Sequence, residues 1–82
     1  MSKDMILKII KENVREISPD IQIEEIDMKE SLKNLELNSI DRMEVIINTM
    51  EAINTKISFV EIGKVENIGQ LVDLFYYNKV NG

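Results

Sequence analysis

No stretch of this sequence alternates polar and apolar residues for long enough to make a strand, whereas three stretches repeat their apolar residues at helical spacing. Over Ser2 to Ile17 the repeat runs through Met5, Ile6, Ile9, Ile10, Val14 and Ile17, with Lys8, Lys11, Glu12 and Arg15 on the other side. Ser18-Pro19-Asp20 ends it, because a residue before proline is pushed out of helical geometry. A second helix is predicted from Asn38 or Ser39 to about Asn54, capped by Asn38 with Asp41 as its rough capping-box partner. The apolar arc of this helix is Ile40, Met43, Val45, Ile46, Ile47, Met50 and Ile53, wider than one core stripe needs. Phe59 to Lys64 has room for one helical turn before Gly63 interrupts it. A last helix is predicted from Asn67, whose Asn-x-x-Gln pattern with Gln70 suits a cap. It buries Ile68, Leu71, Val72 and Phe75, and its pattern fades after Tyr77; Tyr76 and Tyr77 should partly cover the core. Between the first two helices, Ile21, Ile23, Ile26, Met28, Leu32, Leu35 and Leu37 are spaced like anchors pinning a long loop. The expected fold is an all-α, small four-helix bundle with three main helices, a short third helix and a long first loop.

At 82 residues the chain is expected to be one domain, near the lower size limit for folding alone, and its 44% of hydrophobic residues argues against disorder. The net charge of −5 disfavours nucleic acid as a partner. That charge is uneven, since residues 18–54 hold three basic and nine acidic side chains, which would attract a basic partner. The absence of both Cys and His removes thiolate and imidazole nucleophiles, bases and metal ligands, so no catalytic residue and no metal site are expected. Glu24-Glu25 reads as a solvated loop pair. A polar, charged N-terminus and short apolar runs give no sign of a signal peptide or membrane span. A soluble, cytoplasmic monomer is the expectation.

The most informative stretch is Leu35-Glu36-Leu37-Asn38-Ser39-Ile40-Asp41-Arg42-Met43-Glu44. With Asn38 as cap, Ser39 lies in the first helical turn, its hydroxyl free and its surroundings favourable to a phosphate ester. On these features alone, a plain capping serine is the commoner meaning. The stretch, however, resembles the phosphopantetheine attachment motif of acyl carrier proteins. Glu30-Ser31-Leu32 with Leu35 resembles the loop signature of that family, residues 51–57 resemble the close of its second helix, and Asn67-Ile68 with Leu71, Val72 and Phe75 resembles its last helix.

The resemblance implies a carrier rather than an enzyme, with 4′-phosphopantetheine joined to Ser39 and acyl groups held as thioesters on the arm. It implies a docking face of Asn38, Ile40, Asp41, Arg42, Met43, Glu44, Ile47, Phe59 and Ile62, with Val45, Ile46 and Ile53 turned inward. Periodicity by itself would place Met43 and Ile47 in the core, and would leave Asp41, Glu44 and Glu51 as ordinary exposed charges. Arg42 is either a partner contact or a surface residue paired with a nearby acid. Two departures from the family pattern stand out: Asn38 in place of the usual Asp, and the apolar run Phe59-Val60-Glu61-Ile62-Gly63 where fatty-acid carriers are acidic. Both fit a dedicated carrier of secondary metabolism better than a fatty-acid carrier. Asn38-Ser39-Ile40-Asp41-Arg42 resembles freestanding donor carriers of polyketide β-branching, which supply acetyl to an enzyme resembling hydroxymethylglutaryl-CoA synthase (HMG-CoA-synthase-like). The partners so implied are a phosphopantetheinyl transferase, an acyltransferase or decarboxylating ketosynthase-like enzyme, and the HMG-CoA-synthase-like enzyme. A peptidyl or D-alanyl carrier, and an unmodified helical adaptor, are the alternatives.

Overall fold

A computed structural model describes residues 1–35 and 37–81. Four α-helices form in chain order: α1 (Lys3–Ile17), α2 (Ser39–Ile53), α3 (Phe59–Gly63) and α4 (Ile68–Asn81), and no strand occurs among the described residues. Helix α1 begins one residue later than its apolar pattern suggests, because Ser2 serves as the cap and its hydroxyl accepts from the Met5 N–H at 3.2 Å. The buried face of α1 is Ile6, Ile10 and Val14. Met5, counted with that face in the sequence, lies at its rim in the first turn and is 51% exposed.

The long loop is more ordered than its lack of period implies. It contains two 3-10 turns, Ile23–Glu25 and Leu32–Leu35. Ile23, Ile26 and Leu37 are buried, and Ile21, Leu32 and Leu35 pack partly against the core. Met28 is an anchor by a different means. Its side chain is exposed, but its carbonyl accepts from the Gly69 N–H at 2.7 Å, and the Glu30 carbonyl accepts from the Ile68 N–H at 2.7 Å. The loop thus satisfies N–H groups that the first turn of α4 would otherwise leave without partners. A Cβ on residue 69 would stand 3.2 Å from the Met28 carbonyl oxygen, a tight contact that glycine avoids.

Helix α2 packs on α1 and buries Val45, Ile46, Thr49 and Ile53. Asn38 caps its start, and Asn54 ends it in the left-handed conformation with φ 53°. Ser58 caps α3 by accepting from the Glu61 N–H at 3.3 Å. At α4 the Asn67 side chain accepts from the Gln70 N–H at 2.8 Å, as the capping pattern predicts. The return bond is displaced by one residue: Gln70 accepts from the Glu66 N–H at 2.9 Å, not from Asn67. Helix α4 outlasts its apolar pattern and runs to Asn81, carrying exposed Lys79 and Val80. Phe75 is its largest fully buried side chain. Tyr76 packs partly on the core, while Tyr77 is 65% exposed and covers little of it.

Thr49 is the buried polar residue of the core, and its bonds are satisfied. Its hydroxyl donates to the Val45 carbonyl at 2.8 Å and accepts from Asn13 Nδ2 at 3.0 Å, tying α2 to α1. Thr49→Val should cost about 1–2 kcal/mol, because it keeps the shape and leaves the Asn13 amide without its partner. Replacing both partners, as in Asn13→Leu with Thr49→Val, should recover most of that loss in urea denaturation, since no unpaired donor then remains.

Candidate functional site

The start of α2 is built so that capping and chemistry fall to different residues. Asn38 has extended backbone geometry, with φ −74° and ψ 174°, and its side-chain oxygen accepts from the Asp41 N–H at 2.7 Å. Asn is among the best side chains for this bond, so the helix end is satisfied without Ser39. Ser39 is the first helical residue and is exposed, which leaves its hydroxyl available for substitution. The backbone N–H groups and dipole of the helix end favour a negatively charged ester at that oxygen. Glu36, within the same motif, lies outside the described residues.

Arg42 stands one turn further on and is half-buried. Its Nη1 donates to the Leu37 carbonyl at 2.8 Å, so the guanidinium is folded back toward the start of the helix. Ser39 and Arg42 share the lining of a groove of about 520 Å³ with Met43 and Ile46 of α2, Ile62 of α3 and Leu71 of α4. The groove brings the serine together with apolar side chains of three helices. Ser39 thus combines an exposed hydroxyl with an anion-favouring helix end, a cation on the same face of the helix and an adjoining groove.

The wide apolar arc of α2 divides between two surroundings. Val45, Ile46 and Ile53 are buried, as expected, and Met50 is half-buried. Ile40 is 76% exposed, and Met43 and Ile47 are exposed to 39% and 38%. Phe59 and Val60 of α3 are also exposed. Ile62, grouped with Phe59 from the sequence, is half-buried, packs against the core and lines the groove. Val60 was absent from the expected face although it belongs to the same apolar run; a five-residue helix gives too little periodicity to separate its outward from its inward positions.

Charges sit around this apolar surface. Asp41 is half-buried in the first turn of α2, whereas Glu44 and Glu51 are exposed. Glu24 and Glu25 are exposed in the first 3-10 turn, and the described residues contain no group of three acidic, Cys or His side chains placed to hold a metal ion. No helix among the described residues is long and apolar enough to cross a membrane.

No protein-family model matches the chain. It is 30% identical over 76 residues to the polyketide biosynthesis acyl-carrier-protein AcpK of Bacillus subtilis (strain 168), an alignment covering 93% of each chain. Its structure is similar to a chain in the crystal structure of the curacin biosynthetic pathway HMG synthase in complex with acetyl donor-ACP, with a TM-score of 0.81. That match has 41% sequence identity and covers 92% of this chain and 96% of the other. Helix order, the capped serine and near-complete alignment agree, and the chain belongs to the acyl carrier protein family.

Proposed function

We propose that this chain is the acetyl-donor carrier of a polyketide β-branching system, delivering acetyl to an HMG-CoA-synthase-like enzyme. The observation that carries this reading is the 41% identity, over 92% of the chain, to the structure of an HMG synthase in complex with acetyl donor-ACP. The relation to a polyketide carrier of Bacillus subtilis supports the same pathway class.

In this reading Ser39 provides the oxygen to which a phosphopantetheinyl transferase joins 4′-phosphopantetheine. The bound group supplies the thiol that holds acetyl as a thioester, chemistry for which a chain without Cys has no side chain of its own. An acyltransferase or a decarboxylating ketosynthase-like enzyme provides the acetyl. The chain then has two tasks, to present the arm and to select the enzyme that receives the cargo. Asn38 performs the first by carrying the helix cap, so that Ser39 is free. Ile40, Met43 and Ile47, with Phe59 and Val60, perform the second as an exposed apolar surface next to the attachment point. Asn38, Asp41, Arg42 and Glu44 border it with charge and hydrogen-bonding groups. Ile62 contributes from below, by supporting the groove wall. A surface of this size suits brief docking, which a carrier needs because it must leave each enzyme after transfer. Tethering keeps the acetyl at high effective concentration while docked.

Incubation with coenzyme A and a broad-specificity phosphopantetheinyl transferase should raise the intact mass by one phosphopantetheine. Ser39→Ala should gain no mass and should lose less than about 1 kcal/mol of stability, because Asn38 caps the helix. A full mass gain on that variant would overturn the assignment of Ser39. Acetyl-loaded protein should pass acetyl to the active-site cysteine of an HMG-CoA-synthase-like enzyme much faster than a similarly loaded fatty-acid carrier does. Equal rates would remove the case for a dedicated donor.

Ile40→Ser and Ile47→Ser should each slow that transfer about 5- to 30-fold at limiting carrier, the effect of removing a docking side chain worth about 1–2 kcal/mol. Ile40→Ser should leave the melting temperature nearly unchanged, since the side chain is already 76% exposed. If Ile47→Ser unfolds the domain instead, Ile47 belongs to the core.

A further inference from the structure

We infer that Arg42 is a positioning residue for the arm: its guanidinium pairs with the phosphodiester on Ser39 and turns the arm toward the groove. The inference rests on the reading of Ser39 as the attachment point and adds a role for a side chain of this chain acting in cis.

Three observations carry it. First, Arg42 and Ser39 are three residues apart on one helix, hence on one face, and both line the same groove. Second, the guanidinium does not extend into solvent. Its Nη1 is held at 2.8 Å by the Leu37 carbonyl, two residues before Ser39, and the residue is half-buried. One of its five donors is used in that bond, and a planar fork anchored at one nitrogen has others to offer an anion close by. Third, a cation held near a helix N-terminus is unfavourably placed with respect to the helix dipole. The cap at this end is the neutral amide of Asn38, and the first turn contributes only Asp41 as an acidic side chain. A phosphodiester on Ser39 reverses the balance: the anion meets both the helix end and the guanidinium, which are favourable partners for it. Met43, Ile46, Ile62 and Leu71 line the same groove as these two residues. A contact from Arg42 to the phosphate therefore holds the first atoms of the arm at a groove with apolar lining rather than free in water.

Attachment and positioning are separated by first loading each protein and checking intact mass. If wild-type protein takes up no phosphopantetheine, the attachment reading fails before Arg42 is tested. On loaded protein, the shift and linewidth of the phosphodiester ³¹P resonance report the contact directly. Arg42→Gln keeps an N–H donor for the Leu37 carbonyl and removes the charge. Arg42→Lys keeps a charge without the fork. Lys29→Gln removes an equal charge from an exposed loop residue outside the groove.

The wild-type resonance should be broadened and shifted from that of the same group on an unfolded peptide. Arg42→Gln should narrow it and move it toward the peptide value, Arg42→Lys should fall between, and Lys29→Gln should match wild type. Added salt should move the wild-type resonance in the same direction as Arg42→Gln. A melting scan on the unloaded variants confirms that each is folded before its resonance is compared. Should folded, loaded Arg42→Gln give the wild-type shift and linewidth, Arg42 only holds the Leu37 carbonyl and the inference is overturned.

Discussion

Two hydrogen bonds of 2.7 Å, from the Ile68 and Gly69 N–H groups to the Glu30 and Met28 carbonyls, join parts of the chain that helix packing alone leaves separate. A chain of 82 residues has few apolar side chains to spare, and its long loop contributes Ile23, Ile26 and Leu37 to the core only if its path is held. The strap holds that path. It uses the unpaired donors of a helix start, groups that need acceptors in any case, so order in the loop and satisfaction of α4 come from the same two bonds. Gly69 is the residue that lets the strands of backbone approach.

The consequences run directly to the site. Strapped at Met28 and Glu30, the loop enters the 3-10 turn Leu32–Leu35, seats Leu37 in the core and delivers Asn38 to the start of α2. Ser31, Leu32 and Lys33 become one wall of the groove, facing elements drawn from α2, α3 and α4. The position of Ser39 therefore depends on contacts between segments about forty residues apart in sequence, although the cap that leaves its hydroxyl free is local.

Helix α2 has to satisfy two demands with one surface. Its inner side packs on α1 and carries the Thr49–Asn13 bridge, which fixes how the two helices meet. Its outer side keeps Ile40, Met43 and Ile47 in contact with water at some cost in solubility, a cost that a domain serving only its own stability has no reason to carry. Helix α3, the short helix between α2 and α4 in the chain, also carries exposed apolar residues, Phe59 and Val60. For a carrier, the arrangement separates what must be rigid, the α1–α2 contact and the capped serine, from what must bind and release.

Much of this was legible in the sequence, and for identifiable reasons. Helical period placed Ile6, Ile10, Val14, Ile68, Leu71, Val72 and Phe75 inside, because a helix face is a matter of spacing and needs no knowledge of its neighbour. The split of the α2 arc that turns Val45, Ile46 and Ile53 inward came instead from the family resemblance. The caps Asn38 and Asn67 were equally local, each acting within three residues of itself. What the tertiary structure decided lies between elements. It gave the carbonyl of Met28, not its side chain, the anchoring role, turned Ile62 inward while leaving Phe59 and Val60 outside, and paired Thr49 with Asn13. It also folded Arg42 back onto Leu37 beside Ser39. Spacing determines which residues share a face; only the packed neighbour determines which backbone groups find partners across the fold and which of two apolar faces is covered.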